Sequence, residues 1–405
     1  MNILFVCHRL PYPPNRGGKI RSFNMIRHLS ESHSVVVASL AHTERELADG
    51  AGLKRYCDDL LVEILPDHTR WYQAAKALPT ATPSSVAFFR SSRLDKRIRE
   101  TLERASFDVI LVHCAFVAQY VRNVEGPFKV LDYGDLDSGK WSDYAQTRQF
   151  PLSLGYGVEC RKLRRYELHL SKQFDRCTVT TRGELEEFVK IGGSSPCTVI
   201  PNGVDTSYFA LDRSRSWDSA PVVAFLGRMD YFPNIDGVCY FVDKILPLIR
   251  TKLPNTLFRI VGSNPSSRIQ RLAQKTPGVT VTGHVADVRR HLTDVSVSVA
   301  PLRIARGTQN KILESMAMGI PVVSTPEAAK GIQAVPDRDF MVADTPDAFA
   351  RHVVALLKDK ELRQRVSMAA RIQIDRTHLW SVCMEKLDGI ILEAQSKLRE
   401  VPVSV

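Results

Sequence analysis

Short runs of apolar, β-branched residues recur along the chain, separated by stretches with helical periodicity. Runs at 3–7, 35–40, 60–65, 109–113, 128–132, 176–180 and 198–201 predict seven strands in the first half. Six more follow at 222–226, 257–261, 279–282, 295–300, 321–324 and 339–342. Between them, segments at 20–29, 94–103, 238–253, 309–318 and 348–357 carry the spacing of helices. Near-continuous apolar strands alternating with helices imply parallel sheets covered on both faces. Thirteen strands overfill one comfortable sheet, so two doubly wound α/β domains are expected.

The boundary is marked by the turn Asn202-Gly203, the polar stretch 211–220 and a fresh apolar strand at Val222. A linker at 203–220 follows from this. The expected domains are 1–205 and 206–377, with 378–405 as a terminal segment whose residues 379–398 are helical and amphipathic. The total of 405 residues suits two such domains.

Hydrophobic residues at 44% and charged residues at 24% exclude a disordered tail, a collagen-like repeat and a disulfide scaffold. The net charge of +11 favours acidic partners such as nucleotides, phosphorylated lipids or an anionic membrane surface. The densest basic clusters, 90–104 and Arg161, Lys162, Arg164 and Arg165, read as solvated helix faces. A nucleic-acid binder would interleave aromatics with such cations, and 90–104 has none, so no nucleic-acid partner is expected. Eight cysteines without a CxxC pair suggest a reducing compartment. The N-terminus reads as a buried strand rather than a signal peptide, and no run approaches a membrane span. The expectation is a cytoplasmic protein, at most peripheral to a membrane.

Doubly wound sheets bind ligands beyond the carboxyl ends of their strands. Gly17-Gly18-Lys19-Ile20 lacks the spacing of a Walker loop, and no GxGxxG follows the first strand. No HExxH or similar cluster suggests a metal. The segment 300–324 is more informative. A strand ends at Ala300, a loop carries Arg303 and Arg306, and a helix is expected to begin at Gly307-Thr308. Such a start is an anion site, and Gly307 would let a diphosphate approach the main chain. Glu314 would then lie roughly 9–10 Å along the helix, a suitable distance for gripping a ribose diol. Arg228 follows the first strand of the second domain, where it could clamp a leaving diphosphate. Gly262 opens a second strand-to-helix turn suited to a nucleotide. In the first domain, Gly17 and Gly18 open a helix and form another anion site. His113 ends a strand and could orient a sugar hydroxyl; Asp132, Asp135 and Asp137 follow the next strand, and one of them could bind an acceptor hydroxyl.

Taken in order, these signals resemble the GT-B glycosyltransferases of family four, over nearly the whole chain. The resemblance rests on Arg16-Gly17-Gly18, Val199-Ile-Pro-Asn-Gly-Val-Asp205, Gly227-Arg228, Ile260-Val-Gly262, and Glu314 followed by Met318-Gly-Ile-Pro-Val-Val323. A final helix opening at His378-Leu-Trp380 is similar to one that crosses back to the first domain. More narrowly, 132–141 and 303–314 resemble a bacterial subgroup associated with exopolysaccharide and PEP-CTERM protein-sorting clusters.

The resemblance implies two Rossmann-like domains facing an interdomain cleft, the first binding acceptor and the second binding nucleotide sugar. It implies a retaining, metal-independent transfer from a nucleoside-diphosphate sugar to a saccharide or lipid-linked acceptor, without a cofactor. Catalytic roles fall to His113, Arg228 and Lys311. Donor binding falls to Gly17, Gly18, Arg228, Gly262, Arg306, Gly307, Thr308, Lys311 and Glu314, and acceptor binding to Asp132 and Asp135. Peripheral contact with an anionic membrane at the inner face is a further expectation. The chain departs from the family at two places: Arg306 stands where the first of two glutamates is usual, and Asn234 where a lysine is usual. Lys311 and Arg306 are expected to replace the lost positive charge. A noncatalytic GT-B scaffold that binds nucleotide sugar without turnover is the alternative.

Overall fold

A computed structural model of the chain describes residues 1–211 and 221–400. Positions 212–220 of the expected linker, and 401–405, lie outside the described residues. Seven strands, β1 (Asn2–Cys7), β2 (Ser34–Ala41), β3 (Asp59–Ile64), β4 (Val109–His113), β5 (Phe128–Gly134), β6 (Arg176–Val179) and β7 (Cys197–Val199), form one parallel sheet. Its order is β3-β2-β1-β4-β5-β6-β7. Six more, β8 (Val222–Leu226), β9 (Leu257–Val261), β10 (Val279–Val281), β11 (Val297–Ala300), β12 (Val322–Ser324) and β13 (Met341–Val342), form a second parallel sheet. There the order is β10-β9-β8-β11-β12-β13.

Central strands such as β1, β4, β8 and β11 have almost no exposed side chains, which is why they read as unbroken apolar runs rather than alternating ones. Both sheets reverse direction of winding at the same place: β1 neighbours β4, and β8 neighbours β11. Within each unit, a crevice at the carboxyl ends of that pair is the geometric consequence.

All thirteen expected strands are present, with small differences at their ends. The last strand begins two residues late because Asp339 belongs to a turn, its carboxylate accepting from the Val335 amide at 2.8 Å and from Arg338. The expected helix at 238–253 is instead three joined pieces, Phe232–Tyr240, a π turn Phe241–Ile245, and Leu246–Arg250. Pro247 supplies no amide to the turn before it, and the wider turn absorbs that loss.

Met1–Pro201, with the chain from Cys383 on, makes one unit, and Asn202–Val382 makes the other. These changeovers fall a few residues from the expected 205/206 and 377/378. The reason is a local tie: the Val204 amide donates to His378 O at 2.7 Å, and His378 Nδ1 lies 2.9 Å from Asn202 O. Both segments therefore belong to the second unit. The final helix, Trp380–Glu400, buries Met384, Leu387, Ile391 and Ala394. It is pinned to the first unit by Arg176 with Glu393 at 2.6 Å and His28 with Asp388 at 2.7 Å.

Candidate functional site

In the seven-stranded unit, β4 delivers His113 to the crevice beside β1, and β1 delivers His8. Their ring centres are 5.7 Å apart. The helix Gly17–Leu29 starts alongside, its first turn carrying no side-chain cap, and a Cβ on Gly18 would lie 4.0 Å from His113 Nε2. Beneath His113 lies a buried network. Asp132 Oδ2 is 2.7 Å from His113 Nδ1 and accepts from Arg21 Nε at 2.9 Å. Its Oδ1 accepts from Arg21 Nη2 at 2.7 Å and from Thr178 Oγ1 at 2.6 Å, and Arg21 Nη1 donates to Ile200 O at 2.8 Å. Burial would raise the Asp132 carboxyl, but the Arg21 charge, with hydrogen bonds from Arg21 and His113, holds it well below the usual carboxylate range. An ionised Asp132 requires the proton on His113 Nδ1, which fixes the ring and turns Nε2 toward the helix start.

Asp132 was a candidate acceptor ligand in the sequence. It has no exposed surface and both its oxygens are occupied, so its place is to orient His113 from below. Asp135 accepts from Thr180 Oγ1 at 2.5 Å, and burial raises its carboxyl above the usual range. Asp137 opens the Asp137–Thr147 helix, where burial lifts its carboxyl to about 6. Both are partly exposed, unlike Asp132. Arg21, Thr178 and His8 were missed. Of these only His8 carried a signal, as the residue just past the first strand.

In the six-stranded unit, β8 ends in Gly227-Arg228 and β11 leads into the loop with Arg303 and Arg306. Asn234, in the Phe232–Tyr240 helix, is buried between them. Its Nδ2 donates to Arg228 O at 2.8 Å, and its Oδ1 accepts from Lys311 Nζ at 2.7 Å. The ammonium therefore stands at position 234 itself, 4.9 Å from the Phe225 ring centre. Burial draws Lys311 down to about 7 although Glu314 opposes the shift, and burial pushes Glu314 up to about 7 although Lys311 opposes it. Arg228 is partly exposed and pairs with Asp230, Nε donating at 3.1 Å. Arg303 is held by Asp236, Nε donating at 2.9 Å, and packs on Tyr240. Arg306 stands in the loop before Gly307, its carbonyl accepting from Gln309 Nε2 at 2.9 Å.

Residues 220–359 match the family described as glycosyl transferases group 1. That stretch opens at β8 and contains Arg228, Asn234, Gly262, Arg306, Lys311 and Glu314. The chain is 24% identical over 293 residues to a lipopolysaccharide core biosynthesis glycosyltransferase, LpsE, of Rhizobium meliloti, covering 69% of this chain and 75% of that protein. Its structure is similar to sucrose-phosphate synthase from Thermosynechococcus elongatus, with a TM-score of 0.73, 14% identity, and coverage of 98% of this chain and 100% of the other. Anabaena HepE in complex with UDP and glucose gives a TM-score of 0.66 at 14% identity, over 97% of this chain and 100% of that one. The fold is GT-B.

Two details of the group 1 stretch differ from expectation. The helix bearing Glu314 spans Asn310–Ala317, so Gly307 and Thr308 precede it rather than open it. Gly307 has φ of 61°, a conformation that favours glycine, and its carbonyl would be 2.2 Å from a Cβ on Gly331. Thr308 Oγ1 is a buried atom without a hydrogen-bond partner. Gly262 is likewise needed by the fold: a Cβ there would sit 1.7 Å from Gly227 O, so the ends of β8 and β9 could not approach. No group of His, Cys, Asp or Glu suited to a metal ion exists among the described residues.

Proposed function

We propose that the protein is a retaining glycosyltransferase of family four, moving a sugar from a nucleoside-diphosphate sugar to the hydroxyl of a saccharide or lipid-linked acceptor. Exopolysaccharide or glycolipid synthesis is the pathway class this reading favours, and the match to a lipopolysaccharide core transferase supports it. The observation that carries the reading is the contact of Lys311 with Asn234 beside Arg228, at the switch point of the second sheet. Two cations stand where charge grows on a departing diphosphate, and differential stabilisation of that charge accelerates the reaction. Glu314 takes the ribose diol, Gly307 and Thr308 face the diphosphate, and Arg306 adds charge from the loop. His113 orients a sugar hydroxyl through Nε2, with Gly17 and Gly18 at its side. The chain's own cations supply the charge stabilisation, so the proposed chemistry is metal-independent.

A panel of UDP-, GDP- and dTDP-sugars tests this, with thermal shift for binding and nucleoside-diphosphate release for turnover. Glu314→Gln should weaken donor binding about ten-fold or more, since a charged acceptor is worth about 1.5–3 kcal/mol. Unchanged affinity would remove Glu314 from the donor site. The noncatalytic alternative is favoured by Arg306 in place of a glutamate; it predicts donor binding without turnover on any acceptor.

A further inference from the structure

The basic cluster at 161–165 lies beside an exposed apolar stripe that the sequence pattern does not explain. On the Asp67–Ala77 helix the buried positions are Arg70, Ala74 and Ala77, which leaves Trp71 on the flank of that face, edge-on to Phe88 yet 67% exposed, with Leu78 just beyond the helix end. Lys162 Nζ donates to Leu78 O at 2.8 Å, which docks the Leu152–Leu170 helix against that end. One and two turns before Lys162 on the same face come Val158 and Leu154, both exposed. Phe150, just ahead of that helix, is 80% exposed. Apolar side chains thus run from Trp71 across Leu78 to Leu154 and Phe150, on two adjoining elements of one unit.

The charge around this stripe is mainly positive, although Arg164 meets Glu187 of a neighbouring helix at 3.7 Å. Residues 148–165 contain five arginines and lysines and one acid, Glu159. That acid is buried and spent on the Ser84 and Ser85 amides, at 3.0 and 2.8 Å. Arg161 and Arg165, one turn apart, are both exposed. By contrast, the Ser92–Arg104 helix balances its cations with Asp95, Glu100 and Glu63, as a solvated face should.

We infer that this face of the seven-stranded unit is a docking surface for an anionic lipid bilayer. Exposed Trp and Phe enter the headgroup boundary while the flanking arginines meet lipid phosphates. The inference stands on the patch alone and does not rest on the transferase reading. Its test is partition of the full chain onto phosphatidylcholine vesicles with and without phosphatidylglycerol. The parent chain should bind the anionic vesicles and leave them as salt rises. Arg161→Gln with Arg165→Gln should weaken binding roughly 25-fold, at about five-fold for each cation. Trp71→Ser with Phe150→Ser should weaken it at least as much, at roughly ten-fold or more for each side chain. Nucleotide-sugar binding, followed alongside by thermal shift, should be unchanged in both variants, so this reading and the transferase reading fail separately. Parent binding that ignores lipid charge, or an arginine pair variant that binds as the parent does, overturns the proposal. So does an aromatic pair variant that turns a solution dimer into a monomer, which would make the patch a contact between copies of the chain.

Discussion

At the switch point of the seven-stranded unit the charged groups neutralise one another in depth: Arg21 grips both oxygens of Asp132, Thr178 adds a third donor, and only His113 emerges. At the switch point of the six-stranded unit the cations rest on weaker partners instead, two carboxylates short of full burial and one buried neutral amide. Arg228 is on Asp230, Arg303 on Asp236, and Lys311 on a neutral amide. The first arrangement has no spare charge and fixes a ring in one orientation. On the proposed reading, the second holds charge that a diphosphate would claim by exchanging one partner for another. A positioning site is built from interactions too costly to break, and an anion site from interactions cheap to replace.

The largest effect should come from breaking the deep network. Asp132→Asn leaves the Arg21 charge buried without its counterion and should cost about 3–5 kcal/mol of stability, read from the urea midpoint. Replacing both partners, Arg21→Met with Asp132→Leu, should restore much of that stability while turnover stays low. Recovery of turnover as well would show that His113 needs no support from below. Acid should expose the same network late. The Asp132 carboxyl titrates below its unfolded value of about 3.9, so its contribution is complete above that pH and fades only as pH falls further.

Lys311→Gln should weaken donor binding by about 1.5–3 kcal/mol, roughly ten- to a hundred-fold in affinity. Asn234→Lys alone would set two ammonium groups against each other. The exchange Asn234→Lys with Lys311→Asn should recover part of the loss, because neighbours in contact couple by about 0.5–3 kcal/mol. An exchanged protein no better than Lys311→Gln would deny that the two positions share one charge.

The pH profile sharpens the contrast further. Glu314, pushed up to about 7, grips a diol best when ionised, above that pH; Lys311, drawn down to about 7, is charged below it. Donor affinity should therefore peak near neutrality and fall several-fold toward both sides in isothermal titration. On the alkaline side binding should take up protons, since a diphosphate raises the proton affinity of Lys311. A flat profile would mean that neither group touches the donor.

The smallest effect is expected at Arg228. Asp230→Asn removes a partly exposed partner and should change donor affinity by no more than about 1 kcal/mol, in favour of binding. Weaker binding would show that Asp230 orients the guanidinium rather than merely occupying it.

Most of the architecture was legible because a parallel strand buried on both faces writes itself as an apolar run, from Ile3 to Cys7 as from Val222 to Leu226. The order of Gly227-Arg228, Gly262 and Glu314 was equally plain, since each sits at a fixed place after a strand. The role of Asp132 was not legible: its partner Arg21 is 111 residues away, and no local pattern tells a buried carboxylate from a loop one. The start of the Glu314 helix was misread because Gly307 looks like a helix opener, whereas its positive φ makes it part of the preceding turn. The stripe beside Arg161 escaped because Leu154 and Val158 share a face with Leu78 only once the chain has folded.

The second unit is one unbroken stretch of chain, while the first is completed only by residues that follow it. A ribosome releases Asn202–Val382 in full before the last helix of the first unit has left the exit tunnel. The seven-stranded sheet must then wait, with the surface meant for Met384, Leu387 and Ile391 uncovered, until those residues have emerged. Domains usually mature from the N-terminus onward; here the later-made one is ready first. A nascent chain arrested with Val382 just clear of the exit tunnel would carry a finished second unit and an unfinished first one, a state that protease protection of arrested chains can detect.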